Sequence, residues 1–250
     1  MTGSAFKTSE GHVETGEIDV AVAMRLEALK INQALGSRMG IANDSGRLAA
    51  LYIRQGDLDQ AEKMFSQAIE IEQSLGRSDN LARHCADLAR LHLSRGNLDR
   101  AENLFRQSIE IDLASGCREK AAQSYRDLAK IMGLRDDLKE AENLLLGLVE
   151  IEKGHSDKKS LAEALGRLAA VRLRRGAPAQ AENVLAQAEQ IYRELDDTSG
   201  MADTQGHLGI VYSAQDRADQ AEAALISALQ INTALNRKAH QADNYGNLAN

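Results

Sequence analysis

Three side chains in one segment have the chemistry of metal ligands: His84, Cys85 and His92. In a helix, His84 and His92 would be separated by a rise of roughly 12 Å. A zinc ion holds its ligands at about 2 Å, so these two imidazoles cannot share one ion. Cys85 and His92 also fall at apolar positions of the local pattern, which favours a core role. The sequence therefore predicts no metal site and no cofactor.

Catalytic motifs are also missing from the sequence. It contains no nucleophile with a base at a recognisable spacing, no H-E-x-x-H zinc motif, no P-loop and no G-x-G-x-x-G fingerprint. We therefore predict no catalytic residues and a protein that is not an enzyme. No single residue indicates a function for this chain. The function must therefore follow from the secondary-structure elements that the sequence predicts.

The composition excludes several other classes of protein. Trp is absent and Pro occurs once, whereas the helix-favouring Ala, Leu, Glu, Gln and Arg are abundant, so an all-α protein is predicted. A net charge of −7 argues against a nucleic-acid binder. The longest apolar run, Leu144 to Val149, is too short to span a membrane, and the N-terminal segment lacks the apolar run of a signal peptide. Two cysteines cannot form a disulfide framework, which favours a cytoplasmic location.

The chain repeats itself with a period of about 40 residues. Four positions of the period keep one residue type throughout. These columns are Leu48, Leu88, Leu128, Leu168, Leu208 and Leu248; Ala42, Ala82, Ala122, Ala162, Ala202 and Ala242; Ala21, Ala61, Ala101, Ala141, Ala181 and Ala221; and Ile31, Ile71, Ile111, Ile151, Ile191 and Ile231. Within a period the apolar residues follow helical spacing in two stretches, which predicts a first helix of about 14 residues and a second of about 18. Neither helix can bury its apolar stripe alone, so neighbouring units must stack.

Turn residues separate the two predicted helices of each unit. Gly56 and Gly76 can adopt positive φ and end the first and second helix. Asp57 and Asn97 follow as candidate N-caps of the second helix. The single proline, Pro178, lies at a helix start, where its missing N–H costs least.

The columns resemble the tetratricopeptide repeat, whose two helices read W-x2-L-G-x2-Y and A-x3-F. The segments Cys85 to His92 (CADLARLH) and Ala101 to Phe105 (AENLF) occupy these places, and Tyr245 to Asn250 (YGNLAN) is a closer match. The period is about 40 rather than about 34, and no proline ends the second helix, as in the long-helix type of kinesin light chain and Pins-like scaffolds. The resemblance implies a right-handed α-α superhelical solenoid of about six repeats. It also implies a concave groove, lined by the first helices, that binds a peptide or protein segment.

The resemblance places eleven residues in that groove. They are Asn43, Arg47, Arg83, Asp87, Arg90, Gln123, Arg126, Asp127, Lys130, Arg167 and His207. Basic residues outnumber acidic ones in this set, and one interpretation is a groove that captures an acidic segment or a C-terminal carboxylate through arginine. The other is a solvated face whose charges pair with each other, since Asp87 is spaced i,i+4 from Arg83 and i,i+3 from Arg90.

The two ends of the repeat pattern differ. Residues 1–15 lack it, with Thr8 where Leu is expected, and are predicted to be a disordered or degenerate leader to a repeat domain over residues 16–250. The segment from His240 to Asn250 begins a first helix without its second helix, so the last repeat is incomplete. Such an uncapped end predicts either that the chain is part of a longer array or larger protein, or that another subunit covers the end, as in a homo-oligomer.

The predicted function is non-catalytic recognition, as an adaptor or scaffold that binds a protein or peptide, with an acidic ligand as one interpretation. Two alternatives remain open. The repeats could be the regulatory or sensor region of a larger multidomain signalling protein or enzyme, or they could be a self-assembling array. No nucleic-acid or membrane partner is expected.

Overall fold

The computed structural model describes the backbone of residues 4–154 and 156–249, and the side chains from residue 16 onward within these ranges. The described residues form twelve α-helices and no strand. In chain order they are α1 (Ser4–Ala34), α2 (Arg38–Gln55), α3 (Leu58–Leu75), α4 (Ser78–Ser94), α5 (Leu98–Ala114), α6 (Arg118–Leu134), α7 (Leu138–Lys153), α8 (Lys158–Arg174), α9 (Pro178–Glu194), α10 (Thr198–Ser213), α11 (Ala218–Ala234) and α12 (Lys238–Leu248). From α2 onward the even-numbered helices begin 40 residues apart, which confirms the all-α repeat solenoid.

The even-numbered helices are longer than the sequence pattern predicted. Helices α4, α6 and α8 each have 17 residues, close to the 17 residues of α5 and the 18 of α3. The expectation of about 14 residues was wrong because the turn between repeats is as short as the turn within them. Left-handed Gly76 and Arg77 separate α3 from α4, just as left-handed Gly56 and Asp57 separate α2 from α3.

The predicted turn residues end and begin the helices. Gly56 has φ 83° and its N–H donates to the carbonyl oxygen of Ile53 at 3.0 Å. The carboxylate of Asp57 accepts from the N–H of Gln60 at 3.1 Å, as an N-cap should. Asn97 occupies the N-cap position of α5, but its side chain makes no capping hydrogen bond within the described residues. Pro178 is the first residue of α9, as predicted.

Contacts between helices divide the chain into two compact units, Met1–Ser124 and Tyr125–Asn250, and the division falls inside α6. In the first unit, each helix from α1 to α4 packs against the next helix along the chain. In the second unit, the helices from α7 to α12 pack in the same way. Helix α10 also contacts α8 and α12, so the even-numbered helices of this unit lie side by side.

The Leu and Ala columns form the core. Leu48, Leu128 and Leu168 are buried, and Ala49, Phe65 and Leu88 form one cluster that joins α2, α3 and α4. Small alanines let the paired helices approach closely while Phe65 fills the space between them. Helix α1 begins at Ser4, but the side chains of residues 1–15 lie outside the described residues, so the degenerate leader stays a prediction.

Candidate ligand-binding face

Each even-numbered helix exposes one stripe of side chains. In α2, Asn43, Arg47, Ala50 and Arg54 are exposed, and their spacing of four, three and four places them on one side of the helix. The intervening residues from Asp44 to Gly46 are buried. We use the name open face for this stripe of α2 and for the equivalent positions of the later even-numbered helices.

The structure places the eleven predicted residues at or beside this face. Asn43, Arg47, Arg83, Gln123, Lys130, Arg167 and His207 are exposed, and Asp87, Arg90, Arg126 and Asp127 are half-buried. The eleven are divided between the two compact units, whose boundary lies between Ser124 and Tyr125. Their role in binding stays a prediction, and each unit is considered separately.

In the first unit, three charges of α4 interact with each other. Arg90 binds the Asp87 carboxylate at 2.8 Å, and Arg83 lies 3.9 Å from its other oxygen. Burial raises the pKa of Asp87, and the charges of Arg90 and Arg83 oppose that shift. Two cations around one anion leave the group with a net positive charge. The two ion pairs expected for a solvated face, Arg83 with Asp87 and Arg90 with Asp87, are therefore both formed. They nevertheless leave a net positive charge on the open face of α4.

Helix α2 adds cations to the same face. Arg47 and Arg54 are exposed and form no hydrogen bond or ion pair within the part of the chain that the structure describes. Together with Arg83 and Arg90 they oppose the single acidic residue Asp87. The open face of α2 and α4 is therefore strongly positive in a chain whose net charge is −7.

An apolar hollow of about 390 Å³ lies between α2 and α4. Phe65 and Leu91 line it together with Ala50 and Ile53 of α2, and the Asp87–Arg90 pair of α4 is at its border. Ile53 remains partly accessible to solvent, so the hollow presents apolar surface that a ligand could cover. Such a hollow, bordered by a few polar groups, is the usual form of a binding pocket.

The second unit carries a different groove, of about 540 Å³, between α8 and α10. Arg167 and Lys159 line it, but so do Glu163, Asp197 and Asp203. The ammonium group of Lys159 binds the Asp197 carboxylate at 2.7 Å, which raises the lysine pKa and contributes to lowering that of Asp197. The balance of charge here is mixed rather than positive.

Tyr192 also lines this second groove. Its ring lies against Gly200, where an added Cβ would come within 2.2 Å of the ring. Burial raises the pKa of the phenol to about 12, and the charges of Glu163, Asp197 and Asp203 act in the same direction. Burial is the largest cause and Arg167 opposes the shift, so the raised pKa reflects mainly the packing of this ring against α10.

Arg126 is held differently from the other predicted groove residues. Its guanidinium lies 3.2 Å from the carboxylate of Glu152, and both side chains are largely buried. The equivalent positions one period before and after Arg126 are Ala86 and Gly166, so neither neighbouring repeat places a long cation there. Its ion pair points to a structural role in joining α6 to α7.

Ion pairs between repeats were missed by the sequence reasoning. Arg95, at the end of α4, binds Glu62 of α3 at 2.6 Å. Glu142 of α7 binds Arg172 at 2.9 Å and also Arg175, which lies at the end of α8. The signal was present in the sequence, because Glu62 and Arg95 recur two periods later as Glu142 and Arg175. A search for opposite charges that recur at one fixed separation in different periods would have found them.

The three residues whose side chains have the chemistry of metal ligands lie in the core. Cys85, His84 and His92 are buried. Burial raises the pKa of the Cys85 thiol to about 12, and burial together with Arg83 lowers that of His84 to about 4. No group of three or more His, Cys, Asp or Glu within the described residues could hold a metal ion. No described helix is long and apolar enough to cross a membrane.

Comparison with known proteins supports the repeat. The tetratricopeptide repeat profile matches residues 40–114 and 160–234. No curated protein sequence matches the chain. Among solved structures, BtubC (BKLC) from P. vanneervenii is 22% identical with a TM-score of 0.72, over 88% of this chain and 92% of that one.

Two further structures share the fold. A kinesin light chain-like repeat protein from Podospora anserina is 22% identical with a TM-score of 0.65, over 78% of this chain and 96% of that one. A signal-transduction ATPase of the STAND class with a tetratricopeptide repeat sensor, from Pyrococcus horikoshii, is 15% identical with a TM-score of 0.71. That likeness spans 98% of this chain but only 38% of the ATPase.

Proposed function

Because the chain belongs to the tetratricopeptide repeat family, we propose that it is a non-catalytic adaptor or scaffold whose open face binds a segment of another protein. Proteins built from this repeat generally mediate protein–protein interaction or scaffolding. We assign to the first unit a more specific ligand: an extended acidic segment that carries one apolar anchor residue. The observation that carries this assignment is the positive face of α2 and α4 around an apolar hollow.

Charge supports the acidic part of the ligand. Arg47, Arg54, Arg83 and Arg90 outnumber Asp87 on these two helices. A guanidinium can hold a carboxylate through two parallel hydrogen bonds, so it offers geometry as well as charge. In a protein with net charge −7, a positive patch also directs an acidic segment to this face rather than to another surface.

The hollow supports the apolar part of the ligand. Ile53 is 40% exposed and Ala50 is exposed beside it, so the lining of the hollow includes apolar surface that the protein itself does not cover. Filling it with a leucine or phenylalanine side chain removes apolar area from water on both partners, which is worth about 25 cal/mol per Å². Asn43, exposed on α2, can donate hydrogen bonds to a peptide backbone and accept them from it.

The test is a fluorescence-anisotropy titration of the purified chain with a short peptide that has one leucine between glutamates. Two matched peptides replace the glutamates with lysines or the leucine with serine. We expect binding of the first peptide alone, and weaker binding as salt screens the charges. Equal binding of the lysine peptide would contradict the assignment.

A charge-reversal variant locates the site. Arg47→Glu/Arg54→Glu should weaken binding by about tenfold or more at low salt, because each exposed charge contributes up to about 1 kcal/mol and tenfold is about 1.4 kcal/mol. Lys63→Glu/Lys139→Glu is the matched control, since these exposed lysines lie on odd-numbered helices and the change in net charge is the same. If the control weakens binding as strongly, the effect is one of overall charge and the open face is not the site.

A second candidate is a sensor region of a longer signalling protein. The STAND ATPase supports it, because nearly all of this chain matches a part of that protein, which carries a repeat sensor. Sequencing the gene around this chain would decide: an effector domain in the same reading frame supports the sensor, and two stop codons directly flanking the chain contradict it. The cytoplasmic location stays a prediction.

A further inference from the structure

The groove between α8 and α10 contains a buried tyrosine whose hydroxyl has no partner in the protein. Tyr192 of α9 is 7% exposed and lines this groove. Its hydroxyl forms no hydrogen bond within the described residues, and the protein does not enclose it completely. A buried tyrosine usually directs its hydroxyl to a hydrogen-bond partner. This hydroxyl therefore opens into the groove, where a bound molecule can supply the partner.

This tyrosine replaces an acidic residue of the repeat pattern. The equivalent positions of α3, α5 and α7 hold Glu72, Asp112 and Glu152, all of them buried. The larger side chain fits in α9 because Gly200 of α10 has no Cβ, which would otherwise come within 2.2 Å of the ring of Tyr192. The ring is therefore held between α9 and α10, and this packing fixes the position of the hydroxyl.

Helix α8 leaves open space opposite this hydroxyl. A Cβ added at Gly166 would meet no atom within 4 Å, whereas Arg126 holds a long side chain at the equivalent position of α6. Ala162 and Ala170, about one turn to either side of Gly166, also line the groove. Its volume of about 540 Å³ lies within the range of roughly 300–1,000 Å³ that is usual for small-molecule sites.

Two charges of opposite sign border this space without a partner. Glu163 and Arg167 line the groove, and their i,i+4 spacing places them one turn apart on the same side of α8. Neither forms a hydrogen bond or an ion pair within the part of the chain that the structure describes, not even with the other. The groove therefore offers one carboxylate and one guanidinium to a ligand.

The other titratable groups of the groove are neutralised. Lys159 binds Asp197 at 2.7 Å, and Asp203 binds Arg237 at 2.9 Å. The groove partly removes His207 from water, which lowers its pKa below 6.5 although Asp203 opposes the shift, so the imidazole is neutral at pH 7. A ligand that matches this groove needs one positive and one negative group close together.

We propose that the groove between α8 and α10 binds a free α-amino acid in its zwitterionic form. The ammonium group pairs with the carboxylate of Glu163. The carboxylate accepts hydrogen bonds from the guanidinium of Arg167 and from the hydroxyl of Tyr192. A ligand with a single charge would leave one of the two side chains without a partner, and the interior of a polypeptide backbone carries neither charge.

Two further observations support this arrangement. The pKa of Tyr192 is about 12, so its hydroxyl keeps the proton that it donates. The groove lies within the second unit and shares no residue with the open face of α2 and α4. The proposal therefore stands independently of the acidic ligand assigned to the first unit.

The twenty common L-amino acids, each tested separately against the purified chain, are the probes. We expect at least one of them to raise the melting temperature in scanning fluorimetry, because a ligand that binds only the folded state stabilises it. Isothermal titration calorimetry then compares this amino acid with its N-acetyl and carboxamide derivatives. Each derivative lacks one of the two charges, so each should bind about tenfold more weakly or worse.

Three substitutions locate the site. Tyr192→Phe removes only the hydroxyl and should weaken binding by about tenfold, since a hydrogen bond to the ligand carboxylate is lost. Glu163→Gln should bind the amino acid and its N-acetyl derivative equally, and Arg167→Gln should bind the amino acid and its carboxamide equally. Tyr212→Phe and Arg193→Gln are the matched controls, because both side chains lie in the second unit outside the groove, and they should bind like the wild type.

Several results would overturn the proposal. It is wrong if no amino acid binds, or if the singly charged derivatives bind as tightly as the parent molecule. Affinity that is unchanged in all three variants, each with the circular dichroism spectrum of the wild type, would place the bound molecule elsewhere. A groove that binds extended peptides but no free amino acid would also contradict it.

Discussion

The glutamate column offers a matched series for measuring what the ion pairs between repeats contribute. The side chain of Glu142 is 8% exposed and binds Arg172 at 2.9 Å and Arg175. The side chain of Glu182, one period later, is 29% exposed and binds Arg217 at 2.7 Å. Glu222, one further period on, is exposed and forms no ion pair within the described residues. Replacing each by alanine changes the same atoms in three environments.

The expected loss of unfolding free energy depends on how deeply each ion pair is buried. Glu142→Ala leaves Arg172, whose side chain is 17% exposed, without its carboxylate, and breaking a buried pair costs about 3 kcal/mol of unfolding free energy. Glu182→Ala breaks a more exposed pair and should cost at most about 1 kcal/mol. Glu222→Ala should have an effect close to zero. We therefore predict that the loss of unfolding free energy decreases in the order Glu142→Ala, Glu182→Ala, Glu222→Ala. This order does not depend on the absolute values.

Urea denaturation followed by circular dichroism at the helix band measures these differences. Added salt should narrow the difference between wild type and Glu182→Ala, because salt screens exposed charges, while the difference for Glu142→Ala should persist. Glu142→Gln retains an oxygen acceptor but removes the charge, so it separates hydrogen bonding from electrostatic attraction. If Glu142→Ala and Glu222→Ala unfold at the same urea concentration, the pairs between repeats do not stabilise the fold and our reasoning is wrong.

Two further predictions concern single positions. Asp216 has φ 58°, a left-handed conformation that crowds its Cβ, so Asp216→Gly should raise the free energy of unfolding by about 1 kcal/mol. The reverse change at the equivalent position, Gly56→Asp, should lower the free energy of unfolding. A loss of stability in Asp216→Gly would contradict this reasoning. Burial, and secondly Arg83, lower the pKa of His84 from 6.5 to about 4. Because the folded pKa is below the unfolded one, this histidine costs stability as the pH falls from about 6.5 toward 4. Urea titrations at several pH values should show a smaller acid loss in His84→Gln, and an identical loss would refute the role of His84.

Local features of the sequence were sufficient to predict the helices and turns. A helix end needs a residue that tolerates positive φ and an N-cap within a few positions, and Gly56 followed by Asp57 satisfies both requirements. The prediction failed on the length of the even-numbered helices, because their first turns contain few apolar residues and periodicity detects a helix only where one of its sides is buried.

The charges of the candidate site were predicted in type and in approximate place but not in their pairing. Asp87 binds Arg90 on its own helix, which sequence spacing could indicate. Arg126 binds Glu152 at 3.2 Å, on the next helix, and no local rule relates two residues so far apart in the chain. Whether a predicted cation reaches solvent or a buried carboxylate depends on which helix packs beside it.

The sequence by itself determined which sides of each helix are apolar, because helical spacing places those residues together in any environment. It could not determine which of these sides are buried. Met24 and Met64 occupy the same column of the repeat, yet Met24 is exposed and Met64 packs against the cluster of Leu48. Burial is a property of the neighbouring helix, and only the tertiary structure shows where a neighbour exists and where an apolar side has none.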